Sequence, residues 1–426
     1  MRMQRVVTLA ALLAVAVSVV DCSSTNSAPA PSGGTSGIPS SAFQDHTGVT
    51  SNSIRVANVS TLSLGGLFKG ALVGTDAYFD MVNASGGVNG RRIYVNSTDD
   101  GFTGIGNKEG VQNAITNDFA LVGGFSGQDS YGGALLAKNS GMPDVAVAVS
   151  PITADLPNVF SAQPLPGGWE EGPLQYFKKK FPNDIDAVGT IISAEPAGLQ
   201  QWAGEEYALK KVGYKVIYVH QTPTTQTDFT ANVIAMKDAG VKLLFLDQLP
   251  EIYTSAIFKD LAQQSYHPQV ILGAGSYSNS LVSDSGGASN VNGAAVNQNA
   301  SFYLGQDANL IPAVDTFLKW VTIASPGFKA DIFSFYGWIS AELFTEALTN
   351  AGTDPSRGSL LKALSKITNF SGDNIEIPVD PAAKTVSNCY LLGQIVHGQY
   401  QRVDDPPVTS STHGYRCDYA YILPPH

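Results

Sequence analysis

The chain is 426 residues long, room for two to three domains at about 150 residues each, and its 25 Lys and Arg against 36 Asp and Glu give a formal charge of −11. Charged residues make up only 14% and hydrophobic ones 43%, so a packed core is expected and wholesale disorder is excluded. So few cations on an acidic chain disfavour nucleic acid and anionic lipid as partners, and a single apolar run near spanning length excludes a multi-span membrane protein.

That run is Val6 to Val20, fifteen residues without a charge behind Arg2 and Arg5. A bilayer span needs roughly 20 apolar residues and a signal-peptide core about 7–15. Residues 1–21 therefore read as a signal peptide of an extracytoplasmic protein. Val19-Val20-Asp21-Cys22 resembles the lipidation site of bacterial lipoproteins, with Asp21 standing where a small residue is usual. Diacylation of Cys22 would anchor the protein to the outer face of the cell membrane, its only membrane contact. Ala28-Pro29-Ala30 is the alternative cleavage site and would leave a secreted or periplasmic protein. Residues 22–47, rich in Ser, Thr, Gly, Pro and Ala, read as a flexible tether.

With Cys22 lipidated or removed, Cys389 and Cys417 remain, an even number in an oxidising compartment. A bridge would close a loop of about 29 residues, worth roughly 3–4 kcal/mol in the chain-entropy picture; two free thiols are the alternative. The six His are scattered and no ligand spacing stands out, so no metal site is expected.

From Ser53 onward, short β-branched runs alternate with amphipathic helices. Ile54 to Val59 reads as a strand, and Phe68, Leu72, Thr75, Phe79 and Val82 follow helical spacing. A Gly/Asn turn over 83–90 leads to a strand at Ile93 and Val95. Further strands are expected at 120–122, 145–149, 188–192, 216–219, 243–246 and 270–272. Helices are expected at about 131–140, 199–212, 229–239, 252–264 and 334–350. Such alternation implies α/β architecture with parallel sheets, split at this size into two units. Pro164 to Pro173 could mark a crossover, and the 334–350 helix suggests a return to the first unit.

Several of these residues also form familiar motifs. Asp80-Met81-Val82-Asn83 followed by Ala84-Ser85-Gly86-Gly87-Val88-Asn89-Gly90-Arg91-Arg92-Ile93 and closed by Asp99-Asp100 resembles a segment of Leu/Ile/Val-type solute-binding proteins of ABC transporters. Gly48-Val49-Thr50, Asp228-Phe229 with Met236-Lys237-Asp238-Ala239-Gly240, and Leu246-Asp247-Gln248-Leu249-Pro250-Glu251 agree in order and spacing. The resemblance spans roughly residues 48 to 350. It implies the type I periplasmic-binding fold: two Rossmann-like lobes of helix-flanked parallel sheets, three crossover strands, and one solute in the cleft. The expected boundaries are 48–165 with 300–385 for lobe 1, and 166–299 with 386–426 for lobe 2.

In lobe 1 the resemblance implies Phe68 as an aromatic contact. It places a carboxylate site of hydroxyls and free amides over Ser126, Gln128, Asp129 and Ser130, with Thr153 as a further donor. Phe125 and Tyr131 read equally as cleft or core. In lobe 2 it implies Glu195, Asp247, Gln248, Ser276 and Tyr277. Amino-acid binders of the family carry an acid near the position of Gly275. Here Glu195, Asp247 or Asp129 would have to replace it, or the ligand is not an α-amino acid.

Catalytic chemistry finds little footing. No G-x-S-x-G occurs. Ser359-Leu360-Leu361-Lys362 sits in a helical pattern, and no phosphate-cradling glycine loop follows a strand. The chain therefore reads as a monomeric binding protein without cofactor or enzymatic activity. It would capture a small polar molecule (amino acid, amide, urea-like or aromatic solute) by hinge closure and deliver it to ABC permease subunits. A ligand-sensing module of the same fold, reporting to a signalling partner, is the alternative.

Overall fold

A computed structural model describes residues 37–163 and 167–425. The expected leader, Cys22 and residues 164–166 of the expected crossover lie outside the described residues. Among the described residues no helix is long and apolar enough to cross a membrane.

Lobe 1 runs through β1 (Ser53–Ser60), α1 (Lys69–Ala84), β2 (Arg92–Asp99), α2 (Gly104–Asn117), β3 (Leu121–Val122), α3 (Asp129–Leu136), β4 (Asp144–Val145) and α4 (Pro151–Ala154). Its parallel sheet has the order β2-β1-β3-β4, with β1 in register from Ser53 opposite Arg92 to Ser60 opposite Asp99. The Gly86–Gly90 turn delivers β2: Gly87 has φ 76°, and a Cβ there would lie 2.0 Å from the Arg91 carbonyl oxygen. The strand expected over 145–149 pairs only at Asp144 and Val145. Ala146–Val149 stays buried without a ladder, and the Val149 N–H donates to the Asp129 carboxylate instead.

Lobe 2 comprises β5 (Trp169–Glu170), α5 (Glu171–Lys180), β6 (Val188–Ser193), α6 (Pro196–Val212), β7 (Val216–Thr222), α7 (Thr230–Ala239), β8 (Leu243–Leu246), α8 (Glu251–Gln263), β9 (Gln269–Leu272), α9 (Ser280–Asp284), α10 (Ala288–Val291) and β10 (Ala295–Gln298). The chain then returns to lobe 1 as α11 (Pro312–Ala324), α12 (Ile332–Ala351) and α13 (Arg357–Leu364). Close approach of α12 to α1 requires glycine on both: a Cβ at Gly74 would lie 1.9 Å from Ser334 O, and one at Gly337 2.0 Å from Ala71 O. Asp331 caps α12 through the Ser334 N–H at 2.7 Å.

A final crossing adds the hairpin β11 (Leu391–Val396) and β12 (Gln399–Arg402), and the chain ends in β13 (Tyr421–Ile422). The lobe 2 sheet has the order β12-β11-β10-β9-β8-β6-β7, while β13 pairs separately with β5. A disulfide joins Cys389 to Cys417. Beside it, Arg402 bridges Asp307 and Asp405, and Arg416 pairs with Asp405 at 3.2 Å. The crossovers are extended segments more than strands: two of them meet in a single bridge between Ala300 and Glu376.

The stretch expected as a tether, 22–47, is packed at its described end. Ser40–Gln44 forms a 3-10 turn against α13. Asp45 pairs with Arg357 at 2.9 Å, and Ala42 is buried. These contacts fix the chain from about Ser40 onward.

Candidate functional site

Parallel strands direct their carboxyl ends toward the cleft, where side chains on the following loops can converge on a ligand. A cavity of about 270 Å³ lies there between the lobes. Lobe 1 supplies Phe68 after β1, Phe102 after β2, Phe125 after β3, and Phe333 and Tyr336 from the first turns of α12. The rings form one cluster, with centroids 4.7 Å apart for Phe68 and Phe333, 4.8 Å for Phe68 and Phe125, and 5.0 Å for Phe125 and Phe333. Tyr336 stacks on Phe125 at 5.7 Å.

Lobe 2 supplies a polar wall. Glu170 and Trp169 come from β5; Ser193, Glu195 and Gln201 from the β6–α6 junction; Asp247 and Gln248 from the end of β8; Gly273 to Gly275 from the end of β9; and Asn297 from β10. Tyr421 reaches the cavity through the pairing of β13 with β5. Gln163 and Asn299, beside two of the crossovers, and Ile377, Val379, Val386 and Ser387, ahead of β11, also line it. Across the rim the Gln128 side-chain amide donates to Glu195 Oε2 at 3.1 Å, joining the two lobes.

No Lys, Arg or His lines this cavity among the described residues. Burial raises Glu170 to about 7, helped by the charge of Asp247 and opposed by a hydrogen bond from Asn297 at 3.2 Å. Burial likewise raises Asp247 to about 7. Behind it, burial and the Asp247 charge hold Glu205 well above the usual range, although Gln248 donates to it.

Four of the expected site residues line the cavity: Phe68, Glu195, Asp247 and Gln248. Gln128 meets it only through Glu195. The other six do not reach it. Ser126 is buried, donates to Asp100, and accepts from the Gln128 N–H at 3.0 Å. Asp129 accepts from the N–H groups of Val149 and Ser150 at 2.9 and 3.1 Å. Thr153 donates to the Asp129 carbonyl at 3.1 Å, and Ser130 lies in the first turn of α3, off the cavity. In lobe 2, Ser276 donates to Leu249 O at 2.9 Å. The Tyr277 hydroxyl accepts from the Leu304 N–H at 2.8 Å, its ring packed on Phe302, Tyr303 and Tyr400.

In this arrangement the hydroxyls of Ser126 and Thr153 are engaged within lobe 1 and do not line the cavity. Within the 124–128 loop, Phe125 and Gly127 face the cavity, whereas Ser126 and Gln128 point elsewhere. The hydroxyls hold the loop backbone together instead of facing a solute. Tyr131 is half exposed and packs over Gly104, away from the cavity.

Among the lining residues not anticipated are Phe102, Gln163, Trp169, Glu170, Asn297, Phe333, Tyr336 and Tyr421. Asn297 stands one residue before the end of β10, a strand of the sheet that faces the cleft, although no strand was expected there. Phe333, Tyr336 and Tyr421 had no local signal, because long-range returns of the chain bring them in.

The model of a family described as periplasmic binding protein matches residues 53–399, and the chain belongs to that family. Among solved structures it is similar to a fatty acid ABC transporter substrate-binding protein from Thermomonospora curvata, with TM-score 0.72 and 17% identity over 84% of this chain and 93% of that one. It is also similar to a branched-chain amino acid transporter substrate-binding protein from Streptococcus pneumoniae in complex with isoleucine (TM-score 0.68, 15% identity, 83% and 100% covered). A solute-binding protein from R. palustris in complex with 4-hydroxybenzoate gives TM-score 0.68 and 16% identity over 83% and 96%. No curated protein matches the chain at a significant level. The folds agree, giving the type I periplasmic-binding architecture, while identities this low leave the ligand to the site itself.

Proposed function

We propose that this protein is the extracytoplasmic solute-binding component of an ABC importer, held to the membrane by lipidated Cys22, and that it acts as a monomer without enzymatic activity. The lobe boundaries would be those expected from the sequence, with lobe 1 beginning near Ser40 instead of residue 48. The observation that carries the reading is a cavity lined from both lobes and bridged at its rim by Gln128 and Glu195. A solute held there touches both walls, so its contacts favour the closed arrangement, which a permease can distinguish from the open one. Affinity then reflects contacts in the closed state less the cost of closing.

Small-angle scattering with and without solute tests this. A saturable decrease in radius of gyration, accompanied by a change in Trp169 fluorescence, is expected from a solute that binds. A chain whose scattering shows no two-lobed shape, or in which no member of a broad solute library changes either signal, would refute the capture reading.

A further inference from the structure

The two walls of the cavity differ in chemistry, and the difference defines a ligand class. On the basis of the capture reading above, we propose that the solute is an organic cation with an apolar body and no carboxylate, an arylalkylamine being its simplest form. Its ammonium group sits among Glu170, Asp247 and Asn297, and its body lies against Phe68, Phe125 and Phe333.

Hydrogen-bonding accounts set the polar end. Gln163, Gln248 and Asn297 each donate their side-chain NH2 to a carboxylate, respectively Glu376, Glu205 and Glu170. Each amide is oriented by that bond, and each keeps a carbonyl oxygen with no partner in the protein. Gln163 is only 4% exposed, so its free acceptor is deeply buried. No amide or hydroxyl donor reaches Asp247 Oδ1, although the carboxyl itself meets that of Glu205. A buried acceptor left unpaired costs about 1–3 kcal/mol. The wall behind the cavity surface is thus short of donors, and a group made only of donors, such as an ammonium, is its chemical complement.

Charge points the same way. Glu170, Glu195 and Asp247 line the cavity with no cation opposite them. A solute carboxylate would meet either this acidic wall or the phenylalanine wall, since Ser126 and Thr153 are already bonded within lobe 1. That argues against a zwitterionic amino acid and against a fatty acid. The rings of Trp169 and Tyr421 flank the acidic wall, where aromatic faces favour a cation.

The proton balance supplies a signature. Asp247, Tyr336 and Tyr421 interact with the Glu170 carboxyl, and Glu205 and Glu170 with that of Asp247; no cation faces either group from the cavity lining. Both carboxyls stand at about 7, so a bound cation favours their ionised forms and releases protons. Affinity for a cation should rise with pH from 6 to 8. Affinity for an anion should fall over the same interval.

Isothermal titration of the purified protein with 2-phenylethylamine, 3-phenylpropionate and L-phenylalanine at pH 6, 7 and 8 tests this. The amine is expected to bind more tightly than the other two. Its Kd should fall as pH rises, with proton release seen as a heat that depends on the buffer. Glu170→Gln and Asp247→Asn should each weaken it at least tenfold, as loss of one partner of a buried charge pair does, and flatten the pH response. Unchanged melting cooperativity shows that the variants fold. Failure of the amine to bind overturns the cation assignment. If an acid or neutral solute binds instead, the capture reading stands; if no library solute binds or closes the protein, that reading falls too. Amine binding that is indifferent to both substitutions overturns the placement of the ammonium group.

Discussion

The wall that lobe 1 gives the cavity is built of Phe68, Phe125, Phe333 and Tyr336, whereas lobe 2 gives Glu170, Asp247, Gln248 and Asn297. The aromatic wall is continuous with the folding core: all four rings are at most 9% exposed. Two of them sit on α12, the helix that completes lobe 1. Burying those rings stabilises the fold whether or not a solute is present. The acidic wall does the opposite, because buried carboxyls without cations cost folding energy. A protein that keeps such a wall has a use for it, and the use proposed here is recognition. On that proposal lobe 1 contributes shape and apolar surface, and lobe 2 contributes chemical selectivity.

The contrast can be broken most severely from the lobe 1 side. Gly337→Val drives a side chain into the Ala71 carbonyl on α1, already 2.0 Å from where a Cβ would stand. Backbone cannot yield as a flexible side chain can, so a loss above about 4 kcal/mol or failure to fold is expected. Thermal or urea unfolding of the purified variant measures it. Normal stability would mean that α12 and α1 are not so tightly apposed, and the aromatic wall would lose its rigid backing.

Next in size is the disulfide. Reducing Cys389–Cys417 releases a loop with a sequence separation of 28, expected to cost roughly 3.5 kcal/mol in the chain-entropy picture. The same tail carries Tyr421 into the cavity, so solute affinity should fall along with the melting temperature. A Cys389→Ser, Cys417→Ser double variant measured by calorimetry separates the two effects. Lost stability with unaltered affinity would show that the tail is structural only.

The acidic wall predicts an unusual stability profile. Glu170 goes from 4.5 in the unfolded chain to about 7 in the folded one, so the folded state holds the proton longer. Between these values the native protein binds more protons than the unfolded chain, and its stability falls as pH rises. The contribution is present below about pH 4.5 and lost progressively toward 7, amounting to about 3 kcal/mol for a shift of this size. Urea unfolding of the solute-free protein at pH 5 and 8 should show the decline, and Glu170→Gln should flatten it. An equally steep decline in the variant would move its origin to other buried acids such as Glu205 or Glu376.

Much of the α/β frame was legible because strand and helix periodicities are local. The helix expected over 334–350 is observed over 332–351, and the strand at 243–246 matches to the residue. Glu195, Asp247 and Gln248 were legible for the same reason, since each follows a strand of a sheet that faces the cleft. Ser126, Asp129 and Thr153, which lie off the cavity lining, show the limit of local reading: a polar residue on a cleft loop looks alike whether it faces solute or ties down its own backbone. Sequence spacing cannot tell a Ser126 aimed at Asp100 from one aimed at a ligand. Glu170 and Tyr421 were beyond local reading altogether: they meet in a two-stranded ladder whose members lie some 250 positions apart.

The smallest expected effect tests how the two walls are held together. Gln128 donates to Glu195 across the rim, and Gln128 is 8% exposed while Glu195 is only partly buried. A hydrogen bond to a charged group in such a place is worth about 1.5–3 kcal/mol at most, and less where water competes. Gln128→Ala should therefore leave unfolding nearly unchanged and weaken solute binding by less than about tenfold, through a shift toward the open arrangement. Scattering of the solute-free variant should give a larger radius of gyration than the parent. A variant with normal affinity and normal dimensions would mean that the solute alone bridges the lobes, leaving the aromatic and acidic walls as the whole of the closing force.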